Sequence, residues 1–281
     1  MRSFIKWFLI IIGIGVLVYP SLSQFLISRN ASRAIAHYDG NIAIRDEETI
    51  NKELNKINIY NDKVTRGELP GNYYSILNPD KTGMMGYVVI PSLGAEIPVF
   101  HGTDKSVLTK GVGHVEGTSL PSGGDCVHCV IAGHSGLSTA NLFTGLDKVK
   151  LGDVFSVKIL NKSYNYLIDD IQVVLPDETD TLVPVQGENY TTLITCVPYG
   201  VNSHRLLVRG KFVNENENYI EEVIKENKEN LSLIDYYYKI PIQYRHLTIG
   251  LAIILLIVLI KVIFNVVKKW VKGRKKKKTL C

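Results

Sequence analysis

TTLITCVPYGVNSHRLLVRG, residues 191–210, holds two β-branched apolar runs joined by a stretch containing Pro198, Gly200 and Asn202. That layout is a pair of strands folded back on each other. Cys196 closes the first run and Arg205 opens the second, nine residues later. A hairpin places a thiol and a guanidinium at the same end. A thiolate at neutral pH needs a positive charge nearby, and the intermediate it forms on a carbonyl needs a donor for its oxyanion. These residues imply a β-rich domain that carries a nucleophile at a strand end.

The surrounding sequence keeps the same rhythm. GYVVIP (86–91), AEIPVF (95–100), CVIAGH (129–134), DVFSVKIL (153–160), YNYLIDDIQVVL (164–175), TLITC (192–196) and RLLVRGKFV (205–213) are short, β-rich and separated by turn residues. Seven or more strands at that spacing predict a mostly β domain, an antiparallel barrel or sandwich. Within 135–153 a short helix is expected around 140–146, then a turn at Gly152. Ahead of the strands, residues 28–64 set Ile44, Ile50, Leu54, Ile57 and Ile59 among charges, the pattern of one or two amphipathic helices. RGELPGNYYSILNPDKTG (66–83) follows as an irregular covering loop, and residues 215–228 read as an acidic helix.

Charge is distributed unevenly. Of 32 basic residues, nine lie from Lys261 onward and two, Arg2 and Lys6, precede residue 28. The centre keeps 21 against 27 acidic residues, which does not suit nucleic-acid binding. LTIGLAIILLIVLIKVIFNVV (247–267) has only Lys261 charged and meets the length of a bilayer core. KKWVKGRKKKK follows it, so this end is expected in the cytoplasm and the β-rich domain outside. The apolar run from Trp7 to Tyr19 reads either as a first transmembrane helix reaching about Ile27 or as a cleaved signal peptide. The lack of a small-x-small cleavage site after it favours retention, with both termini then cytoplasmic. Tyr236, Tyr237 and Tyr238 fit an interfacial belt.

Cys126 and Cys129 form CVHC with His128 between them. Outside a cell a disulfide is permitted there, and one pair plus a histidine supplies too few ligands for zinc. Cys129 lies five residues before His134 and so faces the other side of a regular strand. Cys126 shares the His134 face about 26 Å away at strand rise, so the pair is expected to lie away from Cys196. His134 ends an apolar run and is flanked by glycines; His114, His128 and His204 are its competitors. Arg209 shares the strand parity of Arg205 and is its rival.

GVGHVEGTSLP, AGHSGL ahead of NLFTGLDKVKLGD, and TLITC followed by PYGVNSHRLLVRG together resemble a sortase, the class C or pilin-polymerising branch in particular. The similarity runs over about 83–210, and a C-terminal membrane helix with a basic tail is also similar to that branch. The resemblance implies a closed eight-stranded β-barrel with short helices. It makes Cys196 the nucleophile, His134 the general acid and base, Arg205 the substrate-orienting and oxyanion-steadying cation, and Thr195 a substrate-binding residue. No cofactor or metal is implied. Thiol and imidazole titrate near ~8.5 and ~6.5 when unperturbed, so a reactive thiolate–imidazolium pair depends on its surroundings.

The activity so implied is transpeptidation: cleavage of an LPxTG-like sorting signal and transfer of the acyl group to an amine of another pilin subunit. Attachment of surface proteins to peptidoglycan, hydrolysis, and a non-catalytic membrane-tethered scaffold are the alternatives. The expected partners are pilin or surface-protein substrates and the membrane, with oligomeric state left open. The chain then divides into a membrane segment (1–27), a helical stalk with a candidate lid loop (28–82), the catalytic barrel (83–214), a juxtamembrane helical segment (215–246), a transmembrane helix (247–267) and a basic tail (268–281). One departure stands out: class C enzymes commonly carry an Asp-Pro-aromatic lid motif, and residues 61–83 offer only Asn78-Pro79-Asp80. Leu69-Pro70-Gly71, superficially like a sorting signal, reads as a turn.

Overall fold

Short runs rich in β-branched and aromatic residues form strands β1 (Met84–Ile90), β2 (Ala95–His101), β3 (Val112–His114), β4 (Val127–Ala132), β5 (Val154–Ile159), β6 (Lys162–Val174), β7 (Asn189–Val197) and β8 (His204–Phe212). The computed structural model describes residues 2–135, 142–178 and 180–213. The strands close into a barrel in the order β1-β2-β3-β4-β7-β8-β6-β5. The expected eight-stranded closure is therefore present, with one difference in direction. Two neighbouring pairs, β2–β3 and β4–β7, are parallel rather than antiparallel. Each parallel pair needs a crossover, supplied for β4–β7 by the β5–β6 hairpin that lies between them in sequence. Strand β3 escapes recognition in the sequence because it is three residues long and centred on Gly113. That glycine is obligatory: a Cβ there would sit 2.0 Å from the Gly102 carbonyl oxygen.

The barrel interior is filled by fully buried side chains from alternate strand positions, among them Val88, Ile131, Phe155, Leu193 and Val208. Tyr166 stacks on Phe155 with ring centroids 5.3 Å apart. Gly210 makes room for them, since a Cβ there would lie 2.6 Å from Phe155 and 2.7 Å from Tyr166. Burying a side chain the size of Phe155 contributes about 1.5–3 kcal/mol.

The first amphipathic region becomes helices α1 (Arg2–Ala43) and α2 (Glu47–Thr65). Helix α2 begins at Asp46, whose carboxylate accepts from the Thr49 amide, a bond that holds its pKa below the usual range. It buries Ile50, Ile57, Tyr60, Asn61 and Val64 on one face. Asn61 joins that face to the barrel by donating to the Leu120 carbonyl (2.9 Å) and accepting from its amide (2.8 Å). From α1, Tyr38 donates to the Met85 carbonyl and accepts from the Leu160 amide, both at 2.8 Å. The region expected as a stalk thus packs on the barrel wall along its latter part.

Two compact units divide the chain, residues 1–22 with 240–281, and residues 23–239. Of the first, the described part is the helical start of α1. Counted over the described residues, no helix is long and apolar enough to cross a membrane. The expected membrane helix at 247–267, the segment 215–246 and the basic tail lie outside the described residues. Of the short helix expected at 140–146, residues 142–145 instead form turns, and a single 3-10 turn, Leu146–Lys148, follows them.

Residues 66–83 dock on the β2–β3 side of the barrel. The Tyr73 hydroxyl accepts from the Gly102 amide (3.0 Å) and lies 2.9 Å from His114 Nδ1, while Tyr74 donates to Glu116 (3.0 Å). His101 Nε2 lies 2.7 Å from the Ile76 carbonyl oxygen. Strand β3 is two strands removed from β7 in the barrel order. Among the described residues, no hydrogen bond of this loop reaches Cys196, His134 or Arg205.

Candidate active site

Strands β7 and β8 pair antiparallel with Cys196 directly opposite Arg205. Opposed residues of an antiparallel pair project to the same face with Cβ atoms about 4.5–5.5 Å apart, so thiol and guanidinium share one side of the sheet. The turn between them holds Asn202 at φ 59°, a left-handed conformation that asparagine tolerates. Arg205 Nη1 donates to the carbonyls of Asn202 and His204, both at 3.1 Å, which ties the guanidinium to this turn. Among the described residues its Nε and Nη2 make no hydrogen bond.

His134 arrives from the other side of β7. Strands β4 and β7 run parallel with Ala132 opposite Ile194. Two bonds carry that register onward: the Gly133 amide donates to the Ile194 carbonyl (2.9 Å), and Thr195 Oγ1 donates to the Gly133 carbonyl (2.8 Å). The next step along both chains sets His134 beside Cys196, and the Phe143 amide holds the His134 carbonyl at 3.1 Å. Cys196, His134 and Arg205 are all half-buried. The structure brings the three residues to one end of three adjacent strands.

Gly133 answers a packing demand beside the imidazole. A Cβ on Gly133 would lie 2.6 Å from Val112 and 2.7 Å from Phe143. The residue is small so that β3 and the segment around Phe143 can close against the histidine's strand. Thr195 is buried on the side of β7 opposite Cys196, with its hydroxyl committed to Gly133.

The competitors are engaged elsewhere. His114 is fully buried, with Nε2 2.9 Å from the Ser119 carbonyl oxygen, and burial pushes its pKa down to about 4. His204 sits at the turn, 2.9 Å from the Ser203 hydroxyl. Arg209 is four residues further along β8, where Asp169 receives both its Nε (3.0 Å) and Nη2 (2.9 Å) and Tyr190 lies under it at 4.5 Å. His128 is buried on the same strand face as His134 and contacts Val183 and Thr192.

Cys126, Cys129 and Cys196 are free thiols, so neither member of CVHC is bonded to Cys196 or to the other. Cys129 points into the barrel, where burial pushes its thiol pKa far up, whereas His128 faces the opposite side. Among the described residues no group of three metal-ligating side chains is assembled. Val173, Leu175, Val183, Val185, Tyr199 and Val201 are exposed at the end of β6, along the β6–β7 connection and in the β7–β8 turn. Val173 and Leu175 flank Val174, which pairs with Arg205, and Tyr199 and Val201 follow Cys196 in the turn, so apolar side chains stand on both segments that border the pair.

Residues 88–213 match the family described as the sortase domain. A sortase A of Bacillus anthracis is 30% identical over 134 residues, covering 48% of this chain and 62% of that protein. The chain therefore spans less than two thirds of this curated relative. Sortase C1 of Streptococcus agalactiae superposes with a TM-score of 0.63 at 43% identity, covering 66% of this chain and all of that one. A Streptococcus pneumoniae sortase C, whose structure was described for catalysis and pilin substrate specificity, gives a TM-score of 0.61 at 37% identity, covering 65% of this chain and 97% of that one.

Proposed function

Because the chain belongs to the sortase family, in its class C branch, we propose that it is a membrane-anchored cysteine transpeptidase that cleaves an LPxTG-like sorting signal and joins the acyl group to an amine of another pilin subunit. The observation that carries this reading is the pairing of Cys196 with Arg205 across β7–β8, beside the end of β4 that bears His134.

In the first half-reaction Cys196 Sγ attacks the scissile carbonyl and Arg205 donates to the oxyanion through nitrogens that the turn leaves free. His134 as imidazolium gives its proton to the departing amine, leaving a thioester on Cys196. In the second, the incoming amine attacks the thioester, His134 takes a proton from it, and the thiolate leaves. Thr195 serves this site through Gly133, holding the histidine's segment against β7. The exposed apolar side chains of Val173, Leu175, Tyr199 and Val201, on the segments that border Cys196 and Arg205, suit a signal built around leucine and proline. Similarity to the S. pneumoniae sortase C and to the S. agalactiae sortase C1 of Pilus Island 1 supports a pilin substrate. The apolar stretch 247–267 with its basic tail supports anchoring, with the barrel on the extracellular face.

The test is to incubate the full chain in detergent with LPxTG-bearing pilins and identify the product linkage by mass spectrometry. An isopeptide bond to a second subunit is expected, and it should vanish in Cys196→Ala. Products of hydrolysis alone would sink the polymerase reading. Linkage only to peptidoglycan amines would make the chain an anchoring sortase, and assembly unaffected by Cys196→Ala would make it a scaffold.

A further inference from the structure

The proposed reaction uses the upper end of β4 and β7, yet the same sheet face carries a buried histidine that the chemistry does not touch. His128 lies six residues before His134, the same side by strand alternation and about 20 Å away at strand rise. Its Nδ1 is 3.0 Å from the Val183 carbonyl oxygen, and its Nε2 is 2.8 Å from Thr192 Oγ1. A carbonyl oxygen can only accept, so Nδ1 carries the proton and Nε2 accepts from the threonine hydroxyl. Neutral imidazole supplies one donor and one acceptor, which matches this demand, and burial keeps the ring neutral by lowering its pKa.

Both partners have consequences for the site. Thr192 is four residues before Cys196 on β7 and faces the same side. Val183 belongs to the β6–β7 connection, residues 175–188, which leaves β6 beside Arg205, since Val174 pairs with that residue. It rejoins the sheet at Asn189, opposite Val127 on β4. The far end of the connection is held by the Glu188–Lys211 ion pair at 2.7 Å and by Asn189, which donates to the carbonyls of Ser122 (2.8 Å) and Gly124 (2.7 Å). Between residues 176 and 187, the described residues make a single hydrogen bond to the strands, the one from His128. The histidine is itself braced: its ring packs 5.7 Å from Tyr190, and Tyr190 lies beneath the Arg209 held by Asp169.

We propose that His128 is a positioning residue for the transfer reaction, pinning the middle of the β6–β7 connection and so fixing the course of the exposed apolar segment that leaves β6 beside Arg205 and that the sorting signal lies against. This rests on the transpeptidase reading of the site. The pin acts on substrate binding, because Val183, Val185 and Leu175 ride on the connection while Cys196, His134 and Arg205 are positioned by β4, β7 and β8.

The test uses the full chain in detergent with a fluorogenic LPxTG-type peptide, and follows KM, kcat, the alkylation rate of Cys196 by iodoacetamide, and hydrogen exchange. In His128→Ala, amides over 176–187 should exchange at least tenfold faster while those of β4 and β7 keep their protection. KM should rise about tenfold, with kcat and alkylation within twofold of wild type. His128→Asn, whose Nδ2 occupies the place of Nδ1, should restore KM and slow exchange. His128→Gln, which reaches only toward Thr192, should restore neither. Faster exchange spread over β4 and β7, or a mobile connection with unchanged KM, would overturn the proposal. Wild-type chain that processes no sorting peptide would overturn the transpeptidase reading and this proposal with it, whereas turnover indifferent to all three variants would overturn the pin alone.

Discussion

Replacing Thr195 by valine removes one oxygen from the join between β7 and the segment that carries His134. The Thr195 hydroxyl donates to the Gly133 carbonyl at 2.8 Å, and both residues are buried. Valine keeps the shape but leaves that carbonyl without its donor, which costs about 1–3 kcal/mol. In a chain of this size each kcal/mol shifts Tm by about 2–4 °C, so a drop of about 2–12 °C is expected. The larger effect should be kinetic. With Gly133 held only by its amide bond to Ile194, a displacement of His134 by about 1 Å would lower kcat/KM about 10²-fold. Thermal unfolding and steady-state cleavage of a sorting peptide measure the two effects separately, and Thr195→Ser, which keeps the hydroxyl, should recover most of both. If Thr195→Val retained wild-type kcat/KM while Thr195→Ser did not, the threonine would act by some means other than tying His134 to β7.

Arg205→Lys should lower kcat/KM at least tenfold, because a lysine cannot hold the two turn carbonyls and still present further donors to an oxyanion; unchanged turnover would reassign the donor. Gly133→Ala should destabilise by about 1–3 kcal/mol through overpacking against Val112 and Phe143, and a second change, Val112→Ala, should recover part of it in chemical denaturation. Acidification should also destabilise the fold. His114 has a folded pKa near 4 against an ordinary 6.5, so the unfolded chain binds more protons between these values and stability falls as pH drops through them. The loss attributable to His114 between pH 7 and pH 5 is about 2 kcal/mol, and His114→Gln should flatten that part of the profile.

Much of the site is legible in local pattern. Strand alternation and the turn residues of 197–203 are enough to oppose Cys196 and Arg205, because a short antiparallel connection leaves few registers open. The same alternation separates Cys129, inside, from His128, on the other face, so these neighbours in CVHC cannot turn to a common partner. The missing lid motif was likewise visible, but where the loop docks was not. Its anchor is Tyr73, held by Gly102 and His114, residues 29 and 41 positions away.

The amino-acid sequence alone determines the strand periods, the nucleophile's place at a strand end and the guanidinium opposite it, since each follows from interactions within about twenty residues. The tertiary structure alone decides that β4 lies parallel to β7, which brings Gly133 to Thr195 across 62 residues and His134 to Cys196. It also decides that a histidine in an apparent ligand motif binds a carbonyl 55 residues away. Period-two alternation chooses the face on which a side chain stands, but the neighbour it meets is chosen by closure of the whole barrel, and closure has no local signature.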